Sequence, residues 1–464
     1  MRRHGSAFLA LALSLGAAAA ALPAQAQPRG TPALPVHLAR SPVPDLERSA
    51  LPLRTTDPRG GLDDLRPLGR MVNDARVVGL GEATHSSHEF FRLKHRVFRY
   101  LVEEKGFRGF ALEGNWSTGL RLNDYVLHGK GDVRRIMRDE LQGSYSWWNN
   151  EEYFDLLTWM RDYNRQHPYD PVQFMGNDLG HAGPELYDLV TGYVAGTHPA
   201  LLPRFTELYR GLRPTTGVAA HMTQYLERPL AERREIADRT GRALALLKEH
   251  EPAPDASRPE SRAYTWALQH ATAVDQTARG FAFDFTDPGE TGKAMRYRDA
   301  VMAENVAWWT RHTGDRVLLA AHNGHVALAT YHPEQYPKSQ GSFLRDKLGK
   351  RYVSIGTTFD RGSFNATGTD GKVHTTTLGA AKRGTNEHTL DRVRHRDYVL
   401  DLRTTRPAAR AWLDRARTTR SIGTDHPHPG NESQVALSRS HDILVHLHRV
   451  GAARLLDTAG AGTE

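Results

Sequence analysis

The sequence predicts an α/β fold with one large helical insertion. Short apolar runs alternate with a stretch of helical periodicity, and one long segment without strand-like runs divides the series of strands. The first run, the helix and the second run fit within about 40 residues, which is typical of a strand–helix–strand unit in a parallel sheet.

Seven short apolar runs are the strand candidates, since each is rich in Val, Ile, Leu or Phe and ends at Gly or at polar residues. In chain order they are ARVVGL (75–80), FRGFALEG (107–114), PVQFMGNDLGH (171–181), DRVLLAAHNGH (315–325), RYVSIGTTF (351–359), DYVLDLR (397–403) and DILVHLHRV (442–450).

Two segments have helical character. HEFFRLKHRVFRYLVEEKG (88–106) has apolar residues at 90, 93, 97 and 101 and ends at Gly106, which predicts a helix between the first two strands. Residues 184–313 are polar and helical in pattern, so we expect a large helical insertion between the third and fourth strands.

The amino terminus has the pattern of a secretory signal peptide over residues 1–26. Arg2 and Arg3 precede an apolar stretch, and Ala24 and Ala26 form an A-x-A cleavage site. The stretch is Ala-rich and short for a membrane span. We therefore expect a secreted or periplasmic protein without stable membrane anchoring.

The rest of the chain is divided by composition. Residues 27–58 are Pro-rich and predict an extended arm. Residues 59–455 form the expected catalytic domain, and 456–464 form a tail.

Composition excludes some functions. The chain of 464 residues has 61 Lys and Arg against 53 Asp and Glu, but the basic residues are scattered, so we expect no nucleic-acid partner. The absence of Cys excludes a thiolate nucleophile and disulfides.

Titratable residues follow four of the predicted strands. Because ligands of open parallel sheets bind beyond the carboxyl ends of the strands, we expect these side chains to form one site. Buried carboxylates need partners, and the pattern offers histidines. The residues are Glu82 and His85 after the first strand, Glu113 at the second, Asp178 at the third, and His322 and His325 at the fourth.

The cluster is compatible with some hydrolytic chemistries and argues against others. A serine hydrolase is disfavoured because G-x-S-x-G is absent, and GNWSTG (114–119) has the wrong spacing. A metal-dependent hydrolase stays open: zinc or iron accepts Glu and His ligands, although H-E-x-x-H is missing. A secreted binding protein that has kept the site without turnover is a further alternative.

Direct general-base catalysis is a further chemistry, besides those of a serine hydrolase and a metal-dependent hydrolase. His85 is then the base that takes a proton from water, while Glu82 and Glu113 orient the imidazole and the water. Lys94, in the first turns of the following helix, could reach back toward the site, and a cation or second histidine would stabilise the oxyanion.

Several stretches together resemble the erythromycin esterase family. The resemblance runs from about Leu68 to Leu455. Its most specific parts are G-E-x-T-H, the E-G after the second strand and A-H-N-x-H. The matching stretches are GLGEATHSSHEFF, FALEGNW, VQFMGNDLG, MRYRDAVMAENVAWW, LLAAHNGHVAL, GSFLRDKLGKRYVSIGTTFDRGSF and SHDILVHLHRV.

This resemblance implies a three-layer α/β/α fold with a central mixed, largely parallel sheet. It also implies hydrolysis of a small-molecule ester or lactone without a metal or other cofactor, with macrolide-type macrocycles among the candidates. By residue, the family's base falls on His85, its carboxylates on Glu82 and Glu113, its second histidine pair on His322 and His325, and its basic helix residue on Lys94.

Other residues are assigned to substrate binding. His88 lies beside the site, where Ser86 stands at a position at which Gly is frequent in the family. Aromatic pairs could flank an apolar pocket or belong to the core. We further expect the insertion to form a lid or wall that suits a bulky, partly apolar ester. The residues assigned to substrate binding are Asp178, His88, Trp116 and Trp308.

Overall fold

The structure is a computed structural model that describes residues 41–456. The predicted signal peptide lies outside these residues, as do residues 27–40 of the predicted arm and most of the tail. None of the helices in the described range is both long and apolar enough to cross a membrane.

The described residues contain one large mixed sheet and one small two-stranded sheet. In the large sheet the order is β1-β8-β11-β6-β2-β5-β3-β4, and β7 also pairs with β6. Strands β11, β6, β2, β5, β3 and β4 run parallel, whereas β1, β7 and β8 are antiparallel to their neighbours. The strands are β1 (Leu51–Pro52), β2 (Val77–Leu80), β3 (Gly109–Asn115), β4 (Gln173–Asp178), β5 (Val317–Ala320), β6 (Tyr352–Thr367), β7 (Val373–Leu378), β8 (Tyr398–Asp401), β9 (Arg417–Arg420), β10 (Glu432–Val435) and β11 (Ile443–Val450).

Helices cover both faces of this sheet. Every residue of β2, β3 and β5 is buried, and successive side chains of a strand point to opposite faces, so neither face is open to solvent. The predicted α/β class with a mixed, largely parallel sheet is therefore confirmed. The helices outside the insertion are α1 (Val43–Ser49), α2 (Arg66–Val72), α3 (His88–Lys105), α4 (Trp116–His128), α5 (Val133–Glu140), α6 (Glu151–Gln166), α13 (Asn323–Val326), α14 (Gln340–Leu348), α15 (Asn386–Leu390), α16 (Pro407–Leu413) and α17 (Leu437–Ser440).

The insertion between β4 and β5 is helical, as expected. It begins at Pro184 and ends at Thr313, where Gly314 adopts a φ of 82° and caps the last helix. Its helices are α7 (Pro184–Thr197), α8 (Leu202–Leu208), α9 (Val218–Glu227), α10 (Leu230–Lys248), α11 (Arg258–Gly280) and α12 (Pro288–Thr313).

The first strand–helix–strand unit also follows the sequence pattern. Helix α3 ends where Gly106 takes a φ of 67°, a conformation that costs glycine little. Strands β2 and β3 are not neighbours, however, because β5 lies between them. This order places the end of β5 at the centre of the site.

Two predictions about the sheet and the arm are wrong. The described part of the predicted arm contains α1 and β1; Leu46 is fully buried, and Leu51 pairs with Val399 of β8. Pro44 is tolerated because it lies in the first turn of α1, where its missing N–H is not needed. Strand β6 is also longer than the predicted 351–359, since it continues to Thr367 and pairs with β7.

Candidate active site

The strand order brings the predicted groups to one edge of the sheet. The adjacent strands β2, β5, β3 and β4 are parallel, so their carboxyl ends lie together. A cavity of about 140 Å³ is lined in part by residues that lie in or follow three of these strands and by one residue of the insertion. These lining residues are His85, Glu113, His322, His325 and Arg298.

Gly81 lets two of the contributing segments approach closely. A Cβ at this position would lie 2.2 Å from Asn323 Oδ1 and 3.0 Å from its Cα. The backbone N–H of Asn323 donates a hydrogen bond to the carbonyl of Glu82 at 2.9 Å. The segment after β2 and the segment after β5 are thereby joined directly behind the cavity.

His85 is the outer member of a buried chain of three charged or polar groups. Its Nδ1 donates to Glu82 Oε1 at 2.8 Å, and Lys94 Nζ binds Glu82 Oε2. Lys94 also donates to the carbonyl of Ala321 at 3.2 Å. Burial lowers the pKa of Lys94, against the opposing charge of Glu82. Because Nδ1 donates its proton to Glu82, a lone pair on this ring that can accept a proton lies on Nε2.

Glu113 is the centre of a second charged group. Its Oε1 lies 3.0 Å from Arg298 Nη2 and 3.3 Å from His325 Nε2, and its Oε2 accepts the backbone N–H of His322 at 3.0 Å. Burial alone would raise its pKa, but the charge and hydrogen bond of His325 and the charge of Arg298 outweigh burial and hold the pKa well below its usual value. Glu113 is therefore an anion with both oxygens in use.

His325 is bound at both ring nitrogens. Nδ1 lies 2.8 Å from Asp299 Oδ1, and Nε2 faces Glu113. Burial would lower its pKa, yet the two carboxylates raise it to about 10. His325 is a cation that holds Glu113 in place and has no ring nitrogen left for a substrate.

His322 differs from His325 in its charge. Burial holds its pKa well below the usual value, so the ring is neutral. Nδ1 accepts the backbone N–H of Gly324 at 3.2 Å, which places the proton on Nε2. That nitrogen has no hydrogen-bond partner among residues 41–456. The ring centroids of His85 and His322 are 4.9 Å apart.

The walls of the cavity differ from the expected helical lid. Within the described chain, Arg298 is the single lining residue that the insertion contributes. The rest of the wall comes from segments 144–148, 330–336 and 421–431. Trp148 belongs to the first of these, and its ring is 5.4 Å from that of His85.

The predicted assignment of Trp116 and Trp308 to substrate binding is corrected, because neither residue lines the cavity. Their ring centroids lie 5.6 Å apart, and Trp266 of the insertion contacts Trp308 at 5.1 Å. The indole N–H of Trp116 donates to His270 at 3.4 Å. The insertion therefore packs onto α4 through an aromatic cluster instead of presenting these rings to a ligand.

The predicted assignment of Asp178 and His88 to substrate binding is corrected as well. Asp178 is buried and binds Arg298 Nε at 3.1 and 3.0 Å. It thus fixes the guanidinium behind Glu113. His88 binds Glu152 through Nδ1 and Arg92 through Nε2, and it does not line the cavity.

Three residues of the site were not predicted: Arg298 and Tyr336, which line the cavity, and Asp299, which binds His325. Arg298 and Asp299 lie on α12, where a sequence signal existed. Arg298 lies on a helical stripe with buried Met295 and Met302, and a charged residue on such a stripe needs a buried partner. Tyr336 lies on a loop without periodicity, so no comparable signal marked it.

A metal would meet unfavourable donors in this cavity. The oxygens of Glu82 are bound by Lys94 and His85, and those of Glu113 face Arg298, His325 and a backbone N–H. Within residues 41–456, three residues have ligand atoms that all lie within 4.8 Å of one another and could hold a metal ion: Asp360, Asp391 and His448. None of these three residues lines the cavity.

The fold and the site together define an α/β protein with a buried cluster of histidines and carboxylates at the carboxyl edge of a parallel sheet. A neutral histidine whose Nδ1 is held by a carboxylate can remove a proton from water, and a neighbouring N–H can bind a developing anion. These are the requirements of hydrolysis.

The chain belongs to the erythromycin esterase family, whose model matches residues 102–450. It is 24% identical over 324 residues to the erythromycin esterase type II of Escherichia coli, a match that covers 66% of this chain and 74% of that protein. The family implies a hydrolase that acts on esters or lactones. The matched range includes Glu113, Arg298 and His322, whereas Glu82 and His85 precede it.

Solved structures share the fold of this chain. A crystal structure of a Bacillus cereus protein superposes with a TM-score of 0.81 at 30% identity and covers 90% of this chain and 98% of that one. A mutant of the erythromycin esterase EreC in its open conformation has a TM-score of 0.70 at 19% identity, covering 87% of this chain and 98% of that one. The second likeness concerns the fold alone.

Proposed function

We propose that this protein hydrolyses an ester or lactone by general-base activation of water at His85. The observation that carries the proposal is the chain from His85 to Glu82 to Lys94. It fixes the tautomer of an imidazole whose Nε2 has no hydrogen-bond partner among the described residues and which lines a cavity. A general base needs this combination of a fixed ring and a free lone pair.

The first step is attack of water on the ester carbonyl. The water oxygen bonds to the carbonyl carbon while its proton moves to His85 Nε2. Glu82 stabilises the imidazolium that forms, because its carboxylate accepts the Nδ1–H. The protonated His85 then gives the proton to the leaving alkoxide when the carbon–oxygen bond breaks.

His322 is suited to the negative charge that develops on the carbonyl oxygen. Its Nε2–H is an unused donor, and its low pKa keeps the ring neutral and the proton in place. Glu113 holds the backbone of His322, and Arg298 with His325 holds Glu113. The second charged group thus positions the donor instead of reacting itself.

The relatives named as erythromycin esterases make a macrolide-type macrocycle the first substrate to test. The cavity of about 140 Å³ is smaller than the 300–1,000 Å³, roughly, of pockets that enclose a drug-sized ligand. It would therefore hold the ester-bearing edge of a large substrate, while the remainder contacts the rim. The lining includes the hydroxyl of Ser144 and that of Thr424, which also donates to Asp425, and such groups suit a hydroxylated molecule.

A substrate panel tests this proposal. Purified protein is incubated with macrocyclic lactones, bulky esters and short acetates, and products are identified by the mass of one added water. We expect a higher kcat/KM for the bulky or macrocyclic substrates, since contacts remote from the ester lower the barrier. A protein that binds such compounds but hydrolyses none of the panel would instead be the non-catalytic binding protein.

We further propose that the protein acts outside the cytoplasm. The basis is the sequence of residues 1–26 alone, with its Arg pair, apolar stretch and A-x-A site.

A further inference from the structure

Most polar side chains of the cavity already serve other protein groups. The hydroxyl of Tyr145 donates to Asp178 Oδ2 at 3.0 Å. The hydroxyl of Tyr331 lies 2.6 Å from His441 Nε2. Tyr336 lines the same cavity, but its hydroxyl has no hydrogen-bond partner within residues 41–456. It is thus a second unused donor in the cavity that His322 also lines.

The ring of Tyr336 lies against the charged centre of the site. It stands edge-on to His325, with ring centroids 5.6 Å apart and planes at 85°. The backbone N–H of Tyr336 donates to the carbonyl of His332 at 2.7 Å, which closes a turn just before the ring. The phenol therefore extends from a hydrogen-bonded turn.

The segment that carries Tyr336 is anchored to the same carboxylate as His325. Asp299 Oδ1 accepts both His325 Nδ1–H at 2.8 Å and the backbone N–H of Gln340 at 2.6 Å. The hydroxyl of Ser339 donates to the carbonyl of Ala327 at 2.6 Å. Through these bonds the loop with Tyr336 and the helix with Asp299 keep a fixed relation.

The hydroxyl also keeps its proton in the working pH range. Burial raises the pKa of Tyr336 to about 12, with Asp299 and Glu113 adding to the effect and Arg298 opposing it. A neutral donor of this kind can bind an oxyanion without being ionised itself.

We propose that Tyr336 is a catalytic residue whose hydroxyl donates a hydrogen bond to the carbonyl oxygen of the bound ester as negative charge develops there. The proposal rests on the hydrolysis proposed above. The phenol transfers no proton: the proton of water goes to His85 and then to the leaving alkoxide. Together, Tyr336 and His322 supply the two donors of an oxyanion site.

The test is Tyr336→Phe, with Tyr153→Phe as matched control. Tyr153 is buried and its hydroxyl has no hydrogen-bond partner within residues 41–456, but it does not line the cavity. Loss of one oxyanion donor costs about 10²–10³ in kcat, so we expect a fall of at least about 10²-fold for Tyr336→Phe with KM changed little. The control keeps wild-type kcat, and both variants unfold at wild-type temperature.

The outcomes separate the two proposals. A wild-type protein that hydrolyses no ester overturns both. If the wild type is active and the kcat of Tyr336→Phe stays within about threefold of the wild-type kcat, the role of Tyr336 is overturned. The role of His85 is then left standing. A large rise in KM at unchanged kcat also overturns it, because the hydroxyl would then bind ground state and transition state equally.

Discussion

Replacing Glu82 by Gln, alone and together with Lys94→Met, separates the orientation of His85 from the stability of the fold. Glu82 is fully buried and binds both His85 and Lys94. Gln has the same shape but no charge, so the imidazolium formed in catalysis loses its stabilising anion. General-base catalysis contributes about 10²–10⁴-fold, which corresponds to about 2.7–5.4 kcal/mol of the barrier. We expect Glu82→Gln to lose kcat in this range.

The same change leaves the ammonium of Lys94 buried without its anion. Breaking a buried pair in this way costs about 3–5 kcal/mol of stability. Lys94→Met, combined with Glu82→Gln, removes the unpaired charge and replaces it with an apolar chain of similar length. The double variant should regain most of the stability in urea denaturation, but none of the lost kcat.

Glu152→Gln is the matched control. Glu152 is a buried carboxylate that also binds a histidine, His88, but it lies outside the cavity. Its kcat should stay near that of wild type in the steady-state hydrolysis assay. The reasoning is refuted if Glu82→Gln keeps kcat within about tenfold, or if the double variant recovers kcat along with stability, since Glu82 would then only neutralise Lys94.

Three further predictions concern pH, metal and processing. The pKa of His325 is raised from 6.5 to about 10 on folding, so its contribution to stability is complete below pH 6.5 and is lost as the pH rises toward 10. Urea denaturation of wild type and His325→Gln should show a difference in unfolding free energy that shrinks over this range; a constant difference would contradict the pairing. Prolonged chelation should leave esterase activity intact, and a loss restored by zinc or iron would favour the metal-dependent alternative. Exported protein should have the intact mass of a chain that begins at Gln27, and a mass that retains residues 1–26 would count against the signal peptide.

The grouping of the candidate residues was predictable because it follows from strand geometry. Parallel strands share one edge for their carboxyl ends, so Glu82, Glu113 and His322 could be placed together without knowing the strand order. The helical stripe of α3 carries Lys94 among apolar positions, which directs it inward.

The contribution of the insertion was not predictable in the same way. Arg298 and Asp299 reach the site because α12 packs against the sheet, and helix packing depends on contacts far apart in the sequence. The aromatic residues show the same limit, since Trp148 lines the cavity while Trp308 packs against Trp116. Aromatic residues follow the same spacing in the sequence whether they line a pocket or belong to a hydrophobic core, so the spacing does not distinguish the two.

The end of β6 was missed for a local reason. Residues 360–367 read DRGSFNAT, a polar stretch that contains Gly362, and this composition is typical of a turn. Pairing with β7 satisfies the backbone of this stretch and extends the strand.

The central claim, that His85 is the base, is tested most directly by the kcat of His85→Ala on a substrate that the wild type hydrolyses. His85 lies on a loop beyond β2 and its side chain is 10% exposed at the cavity. We predict a loss of kcat of about 10²-fold or more, with the temperature of thermal unfolding almost unchanged. A folded variant that retains kcat within a few-fold of wild type would contradict the account.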